Sequence, residues 1–105
     1  MVNGMKRLFL ADIISPRLFL RDTAARLFSD INKVSDNRVI LDFTSVESIS
    51  RSFAHEYLLR KKQSKKEITE DHLPINVVKM FDAIINSGNK QKVINQNVRF
   101  ELLEA

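Results

Sequence analysis

The residue types that build Ser–His–acid catalytic triads occur close together in the middle of the chain. Asp42 ends an apolar run, Ser50 and Ser52 follow in a serine-rich stretch, and His55 comes three residues later. In such a triad the serine attacks, the histidine takes its proton and the acid orients the histidine. His55, however, falls inside a helical pattern, and the chain has no G-x-S-x-G turn and only two glycines for an oxyanion loop. We therefore predict no catalytic residues and no enzymatic activity.

Metal and cofactor ligands are scarce in this sequence. Cys is absent, and the two histidines, His55 and His72, do not form an H-x-x-x-H or H-E-x-x-H pair. Glu70, Asp71 and His72 could bind a divalent ion, but a solvated acidic turn is the far commoner role of such residues. There is also no glycine-rich loop to hold a phosphate. We predict no metal site and no cofactor.

A basic tract is the candidate for contact with nucleic acid. Five cations occur within seven residues: Arg60, Lys61, Lys62, Lys65 and Lys66. Cations are also favoured at the end of a helix, where the macrodipole is negative, by about 0.3–1 kcal/mol. No aromatic residues alternate with these cations to stack on bases, and no helix-turn-helix pattern surrounds them. We favour the helix-end interpretation and keep a weakly basic nucleic-acid-associated regulator as the alternative.

The bulk composition describes one small globular unit. The chain has 105 residues, 44% of them hydrophobic, and a net charge of +4. This length supports one hydrophobic core, so we predict a single domain over residues 1–105, with residues 1–4 frayed. No signal peptide and no membrane-spanning run of about 18 apolar residues is found. We expect a cytoplasmic protein without a membrane partner.

Four segments in the first half set the predicted architecture. The apolar run Lys6–Ile14 predicts a buried strand, which Ser15-Pro16 breaks. Ser15 and Pro16 are also compatible with a cap and first turn, so whether the next helix begins as early as Pro16 is left open. Leu20, Ala24, Leu27, Phe28 and Ile31 form one apolar stripe, which predicts a helix over Leu20–Lys33. The continuous apolar run Arg38–Phe43 is typical of a central parallel strand.

The second half continues the alternation of strands and helices. The pattern predicts a helix over Ser50–Lys62 and a short strand over Glu67–Thr69. A third helix carries Val77, Met80, Phe81, Ile84 and Ile85 on one face, with Gly88 at its C-terminal cap. Alternation over Val98–Leu102 predicts an edge strand, through which the chain could form homo-oligomers. This order favours an α/β fold in which helices cover a sheet.

The central phrase "VILDFTSVESISRSFAHEYL" (39–58) resembles the core of the STAS-like domains, relatives of the STAS domains of anti-sigma-factor antagonists. "FLRDTAARLFSDI" (19–31) is similar to the first helix of that family, and "LPINVVKMFDAII" (73–85) to its third. The resemblance implies a small layer fold with a mixed sheet of about four strands and about three helices. It also implies a non-catalytic regulatory partner, often of histidine-kinase-like ATPases, in signalling or transcription control.

The resemblance places the docking surface around the start of the second predicted helix, at Ser48, Ser50, Arg51, Ser52 and His55. In the antagonists this region reads Asp-Ser-Ser-Gly, and the first Ser is phosphorylated by the ATPase partner. Aligned on the preceding strand, Arg51 takes the place of that acceptor and Phe53 the place of the Gly. Ser50 and Ser52 flank the position, and both stay candidates for phosphorylation. For Ser50 we favour a different role, capping the helix N-terminus.

Overall fold

The computed structural model describes residues 4–88, which contain five strands and four helices. The strands are β1 (Met5–Phe9), β2 (Arg17–Leu18), β3 (Arg38–Asp42), β4 (Ser48–Ile49) and β5 (Glu67–Asp71). The helices are α1 (Leu10–Ile13), α2 (Arg21–Lys33), α3 (Arg51–Gln63) and α4 (Ile75–Gly88). The predicted α/β class is confirmed, whereas both element counts exceed those expected from the sequence. The predicted strand Val98–Leu102 lies outside the described residues.

Three of the strands form a parallel sheet in the order β1-β3-β5. Phe9, Asp42 and Asp71, the last residue of each strand, are aligned in the register. Parallel neighbours need long crossover connections, which α2 and α3 supply here. The three carboxyl ends therefore meet at one edge of the sheet, and the connections that follow them lie close together.

A second, two-stranded parallel ribbon joins β2 to β4. It is reinforced by the Ser50 amide, which donates to the Leu18 carbonyl at 2.8 Å, and by the Glu47 amide, which donates to the Pro16 carbonyl at 2.7 Å. The ribbon holds the segment before α2 against the segment before α3. Nothing in the sequence analysis predicted it, because two-residue strands have no measurable periodicity.

The first predicted strand, Lys6–Ile14, is wrong in its second half. β1 stops at Phe9, and Leu10–Ile13 form the short helix α1, in which Leu10 is fully buried. A short apolar run cannot by itself distinguish a strand from a buried helical turn. The question whether the next helix begins as early as Pro16 is answered by β2 at Arg17–Leu18, which precedes α2. The Ser15 hydroxyl accepts from the Arg17 amide in a turn at 3.0 Å.

The helix predicted over Leu20–Lys33 and the second-half elements predicted before residue 89 agree closely with the structure. α2 buries the residues of its predicted stripe except Leu20, which precedes the helix and is 67% exposed. The strand predicted at Glu67–Thr69 is present as β5 and extends to Asp71. No helix in residues 4–88 exceeds the 14 residues of α4, and none there has the length and apolar composition of a membrane span.

Tyr57 of α3 lies at the centre of the core. Its ring stacks on Phe81 of α4 and Phe53, with centroid separations of 5.3 and 6.4 Å. It meets Phe28 of α2 and Phe43 edge-on, at 5.4 and 6.2 Å. Such aromatic pairs add about 0.5–1.5 kcal/mol each beyond their burial. The cluster fixes α3 between α2 and α4, and so fixes where the N-terminus of α3 lies.

Candidate functional site

The N-terminus of α3 is organised by one serine. The Ser50 hydroxyl accepts from the Phe53 amide at 3.0 Å, which satisfies one of the unpaired donors of the first helical turn. The same hydroxyl donates to the Phe19 carbonyl at 2.6 Å. The predicted capping role of Ser50 is confirmed, and the residue also ties α3 to the segment that leads into α2.

Three of the other predicted docking residues lie on one face of α3 at its N-terminus. Arg51, Ser52 and His55 are exposed and fall within about 100° of arc, since consecutive helical residues differ by that angle. Among the described residues, none forms an ion pair or side-chain hydrogen bond with them. Ser48 is half-buried and pairs with Arg17 in the ribbon. The structure therefore brings the five predicted residues together, with Arg51, Ser52 and His55 available to a partner.

Two apolar side chains missed by the sequence analysis adjoin this surface. Phe19 is 48% exposed and Leu20 is 67% exposed. The hydrogen bond from Ser50 to the Phe19 carbonyl holds both beside the start of α3. The helical stripe suggested that Leu20 is buried. It is exposed because α2 begins one residue later, at Arg21.

Three of the five cations in the basic tract form ion pairs or hydrogen bonds within the protein. The Arg60 guanidinium binds Glu56 at 2.7 Å, and the Lys61 ammonium binds Glu70 at 2.8 Å. Lys66 Nζ donates to the carbonyls of Val34 and Asp36, both at 2.7 Å. Since α3 ends with Arg60, Lys61 and Lys62 in its last turn, these cations also complement the helix macrodipole.

Lys62 and Lys65 are the exposed remainder of the tract, and the described residues offer them no ion-pair partner. The candidate nucleic-acid surface therefore contains two available cations of the five in the sequence run.

A polar cluster absent from the predicted sites lies at the carboxyl ends of the sheet strands. Asp42 is 1% exposed, and its carboxylate accepts from the amide and the hydroxyl of Thr44 at 2.9 and 2.6 Å. Arg7 Nη1 bonds to Asp42 at 2.5 Å and to Asp71 at 3.0 Å. His72 Nδ1 lies 3.1 Å from Asp42 Oδ1. The cluster joins all three strands, because Asp42 and Asp71 are in register and Arg7, two residues before the end of β1, lies on the same face of the sheet.

The electrostatics of this cluster favour its ionised form. The hydrogen bonds from Thr44 hold the pKa of Asp42 well below its usual range, against the opposing effect of partial desolvation, and Arg7 and His72 act in the same direction. The pKa of Arg7 is raised by its hydrogen bonds to Asp71 and Asp42. Asp42 is thus a carboxylate whose oxygens are already hydrogen-bonded, not a proton acceptor awaiting a substrate.

The cluster has the donor types of a metal site, although not the set considered from the sequence. Single ligand atoms of Asp42, Asp71 and His72 lie within 4.8 Å of one another, and divalent metals take carboxylate and imidazole ligands. Glu70 is not part of this group, since it binds Tyr57 and Lys61. The Arg7 guanidinium already supplies a positive charge to both aspartates. The arrangement therefore works as a structural ion-pair network.

The residues considered for a catalytic triad have different hydrogen-bond partners and do not form one. Asp42 contacts Thr44, Arg7 and His72, whereas the Ser50 hydroxyl contacts Phe19 and Phe53. His55 is exposed on α3, and among the described residues its ring has no acid to orient it.

Comparison of the chain with protein-family models, with curated proteins and with solved structures finds no match. The resemblance to STAS-like domains therefore remains a prediction, and what the described residues establish is an α/β fold with an exposed, partly apolar surface at the N-terminus of α3.

Proposed function

We propose that this protein is a non-catalytic STAS-like regulatory module that docks onto a histidine-kinase-like ATPase through the N-terminal end of α3. The observation that carries the proposal is the exposed group of Arg51, Ser52 and His55 beside the exposed Phe19 and Leu20. Arginine and aromatic side chains are enriched in protein interfaces, where they supply most of the binding energy.

The position of Arg51 supports a role in binding over a role in folding. It is the first residue of α3, where the positive end of the macrodipole disfavours a cation by about 0.3–1 kcal/mol. No carboxylate of the described residues lies within ion-pair distance to offset this. An acidic group on a partner would remove the unfavourable term and add a charge-assisted contact.

The same surface suggests how the module would be regulated. Arg51 fills the position that the resemblance gives to the phosphorylated serine, and the Ser50 hydroxyl is held by two hydrogen bonds. Ser52 is the exposed hydroxyl of the pair. A phosphate there would lie near a helix N-terminus but would bring about two negative charges to a surface that is to meet an acidic partner. We therefore place any phospho-switch at Ser52 before Ser50.

The experiment titrates the purified protein into each histidine-kinase-like ATPase encoded in the same genome, using calorimetry. We expect Arg51→Glu to weaken binding at least about tenfold. Lys62→Glu, the same charge reversal near the other end of α3, should leave it unchanged. Arg51→Glu places an acid at a helix N-terminus, so lost binding would not reflect unfolding. Unchanged binding by Arg51→Glu, or no binding to any such ATPase, would contradict the proposal.

The phosphorylation step has its own measurement. The protein is incubated with the bound ATPase and ATP, and its intact mass is recorded. A single added phosphate that Ser52→Ala abolishes is the expected result. A phosphate retained by Ser52→Ala but lost from a Ser50 variant would move the switch to Ser50, and no added mass would remove it.

Binding of nucleic acid through the end of the basic tract is the second candidate. Lys62 and Lys65 are the exposed cations that favour it. It predicts retardation of duplex DNA or RNA at low salt that weakens steeply as salt rises, and that a Lys62→Glu/Lys65→Glu variant abolishes. No retardation at low salt would end this alternative.

A further inference from the structure

A groove of about 660 Å³ lies between α1, the ribbon strand β2 and α2. Its apolar walls are Ile13, Phe19 and Leu20, with exposed fractions of 51%, 48% and 67%, and Leu27 at its base is 3% exposed. Single exposed apolar residues are ordinary on protein surfaces, whereas several lining one concavity mark an interaction site. The groove is therefore the strongest candidate for a binding surface that the sequence analysis did not find.

The charges at the groove are predominantly positive. Arg17 and Arg26 line it, and Asp30 is the one acid among its described lining residues. Arg17 has a long contact of 3.7 Å with Glu47, and both side chains are about two-thirds exposed, at 67% and 64%. Such an exposed pair contributes little, so Arg17 is free to exchange Glu47 for another acid. The groove thus favours an apolar ligand flanked by negative charge.

Its shape favours a protein segment over a small molecule or a lipid surface. Small-molecule sites combine enclosure with converging polar groups. This groove is open to solvent, and its charged side chains, Arg17, Arg26 and Asp30, are exposed. A membrane surface would need protruding apolar groups, whereas these walls form a concavity. Such a concavity accepts the ridge of side chains at i, i+3, i+4 and i+7 of an amphipathic helix.

We infer that this groove binds an amphipathic acidic helix of a protein partner, with its apolar ridge between Phe19 and Leu20 and its acids towards Arg17 and Arg26. The groove is continuous with the proposed docking surface, because Ser50 at the start of α3 donates to the Phe19 carbonyl at 2.6 Å. This inference rests on the proposed docking function and adds the chemistry of the partner's segment.

The test uses two synthetic helical peptides of about 20 residues, a length at which such peptides form helices in water. Both have leucine at i, i+3, i+4 and i+7, and the flanking positions are Glu in one peptide and Lys in the other. Each is titrated into the ¹⁵N-labelled full chain, and amide shifts are recorded by NMR. We expect the Glu peptide to shift amides of α1, β2 and the first half of α2, and the Lys peptide to bind at least about tenfold more weakly.

Leu20→Asp is the decisive variant, and we expect it to weaken binding of the Glu peptide at least about tenfold. Leu20 is the N-cap of α2 and makes no side-chain cap bond, so Asp there should preserve the helix. Ile75→Asp is the matched control: Ile75 is 69% exposed, begins α4 and does not line the groove. Its acid is also favoured by the helix dipole, and its binding should equal that of the unmodified protein.

Three results would overturn the inference: no groove shifts with the Glu peptide, equal binding of both peptides, or unchanged binding by Leu20→Asp. Binding to vesicles of three parts phosphatidylcholine and one part phosphatidylglycerol that Leu20→Asp abolishes would also overturn it, by assigning the groove to a lipid surface. The ATPase titration with Arg51→Glu is independent of these peptides. Its failure would refute docking at α3, on which the identity of the partner rests. Failure of the peptides with intact ATPase binding would refute the groove inference and leave docking at α3 standing.

Discussion

Replacing Ser50 with alanine tests how the N-terminus of α3 is held. The variant removes the acceptor of the Phe53 amide and the donor to the Phe19 carbonyl at once. Loss of an N-cap side chain costs about 1 kcal/mol. Loss of the second hydrogen bond costs about 0.5–1.5 kcal/mol, towards the lower end where water can reach the carbonyl. We therefore expect the free energy of unfolding to fall by about 1.5–2.5 kcal/mol.

The measurement is urea unfolding followed by helical circular dichroism, analysed at a constant dependence of free energy on urea. In a chain of this size the same loss lowers the melting temperature by roughly 10 °C. Ser50→Thr keeps both hydrogen bonds and should stay within about 0.5 kcal/mol of the unmodified protein. Ser50→Asp keeps the acceptor and loses the donor, so its stability should fall between those of the Thr and Ala variants.

The control is Ser52→Ala, which removes an exposed hydroxyl two residues further along the chain. We expect it to change the free energy of unfolding by less than about 0.5 kcal/mol. If Ser50→Ala were as stable as Ser52→Ala, the hydroxyl of Ser50 would not hold α3 to the segment before α2. Phe19 and Leu20 would then not be held beside the start of α3 by this residue.

Three further predictions concern the core and the pH dependence of stability. Tyr57 is the single tyrosine, and burial beside Glu70 raises its pKa well above the usual range. Stability should therefore be lost as pH rises above about 10, where the tyrosine of the unfolded chain ionises. Phenolate absorbance at 295 nm should appear only together with unfolding. Because the pKa of Asp42 is depressed in the folded protein, ionised Asp42 stabilises the fold above the unfolded-state pKa of about 4, and this stabilisation is lost as pH falls. Asp42→Asn should lower the urea midpoint at pH 7, and the midpoint of the variant should fall less between pH 5 and 3. Phe53→Ala should cost about 3–5 kcal/mol in urea unfolding, since Phe53 is fully buried, and Leu59→Ala on the exposed side of the same helix should cost far less. A phenolate signal in the folded protein, an unchanged acid profile, or equal costs for the two truncations would each contradict the corresponding argument.

The three longer helices, α2, α3 and α4, and the central strand were predictable from the sequence because their patterns are local. The stripe of α2 and the run of β3 repeat over a few residues, and periodicity reads such repeats directly. The Ser50 cap spans three residues, from its hydroxyl to the Phe53 amide, and was predicted for the same reason. The end of β1 at Phe9 was not predicted, since an apolar run has no signal for the turn of α1.

The docking surface was found in part from the sequence. The resemblance directed attention to Arg51, Ser52 and His55, and all three are exposed at one helix end. The apolar neighbours Phe19 and Leu20 were missed because their exposure depends on the ribbon between β2 and β4. That ribbon joins segments 31 positions apart and leaves no periodic trace in either of them.

Local sequence thus determined the three longer helices, which strand is central, and how α3 begins. The tertiary structure alone decided which side chains meet at the ends of the strands. Arg7 binds Asp42 and Asp71 across 35 and 64 positions. Parallel register aligns Asp42 and Asp71 with Phe9, and Arg7, two residues before Phe9, lies on the same face of the sheet. Crossover helices of different sequence could connect the same strands. The residues that connect the strands therefore give no local signal for these contacts. The register of the sheet thus brings three distant residues into one ion-pair network around the buried Asp42.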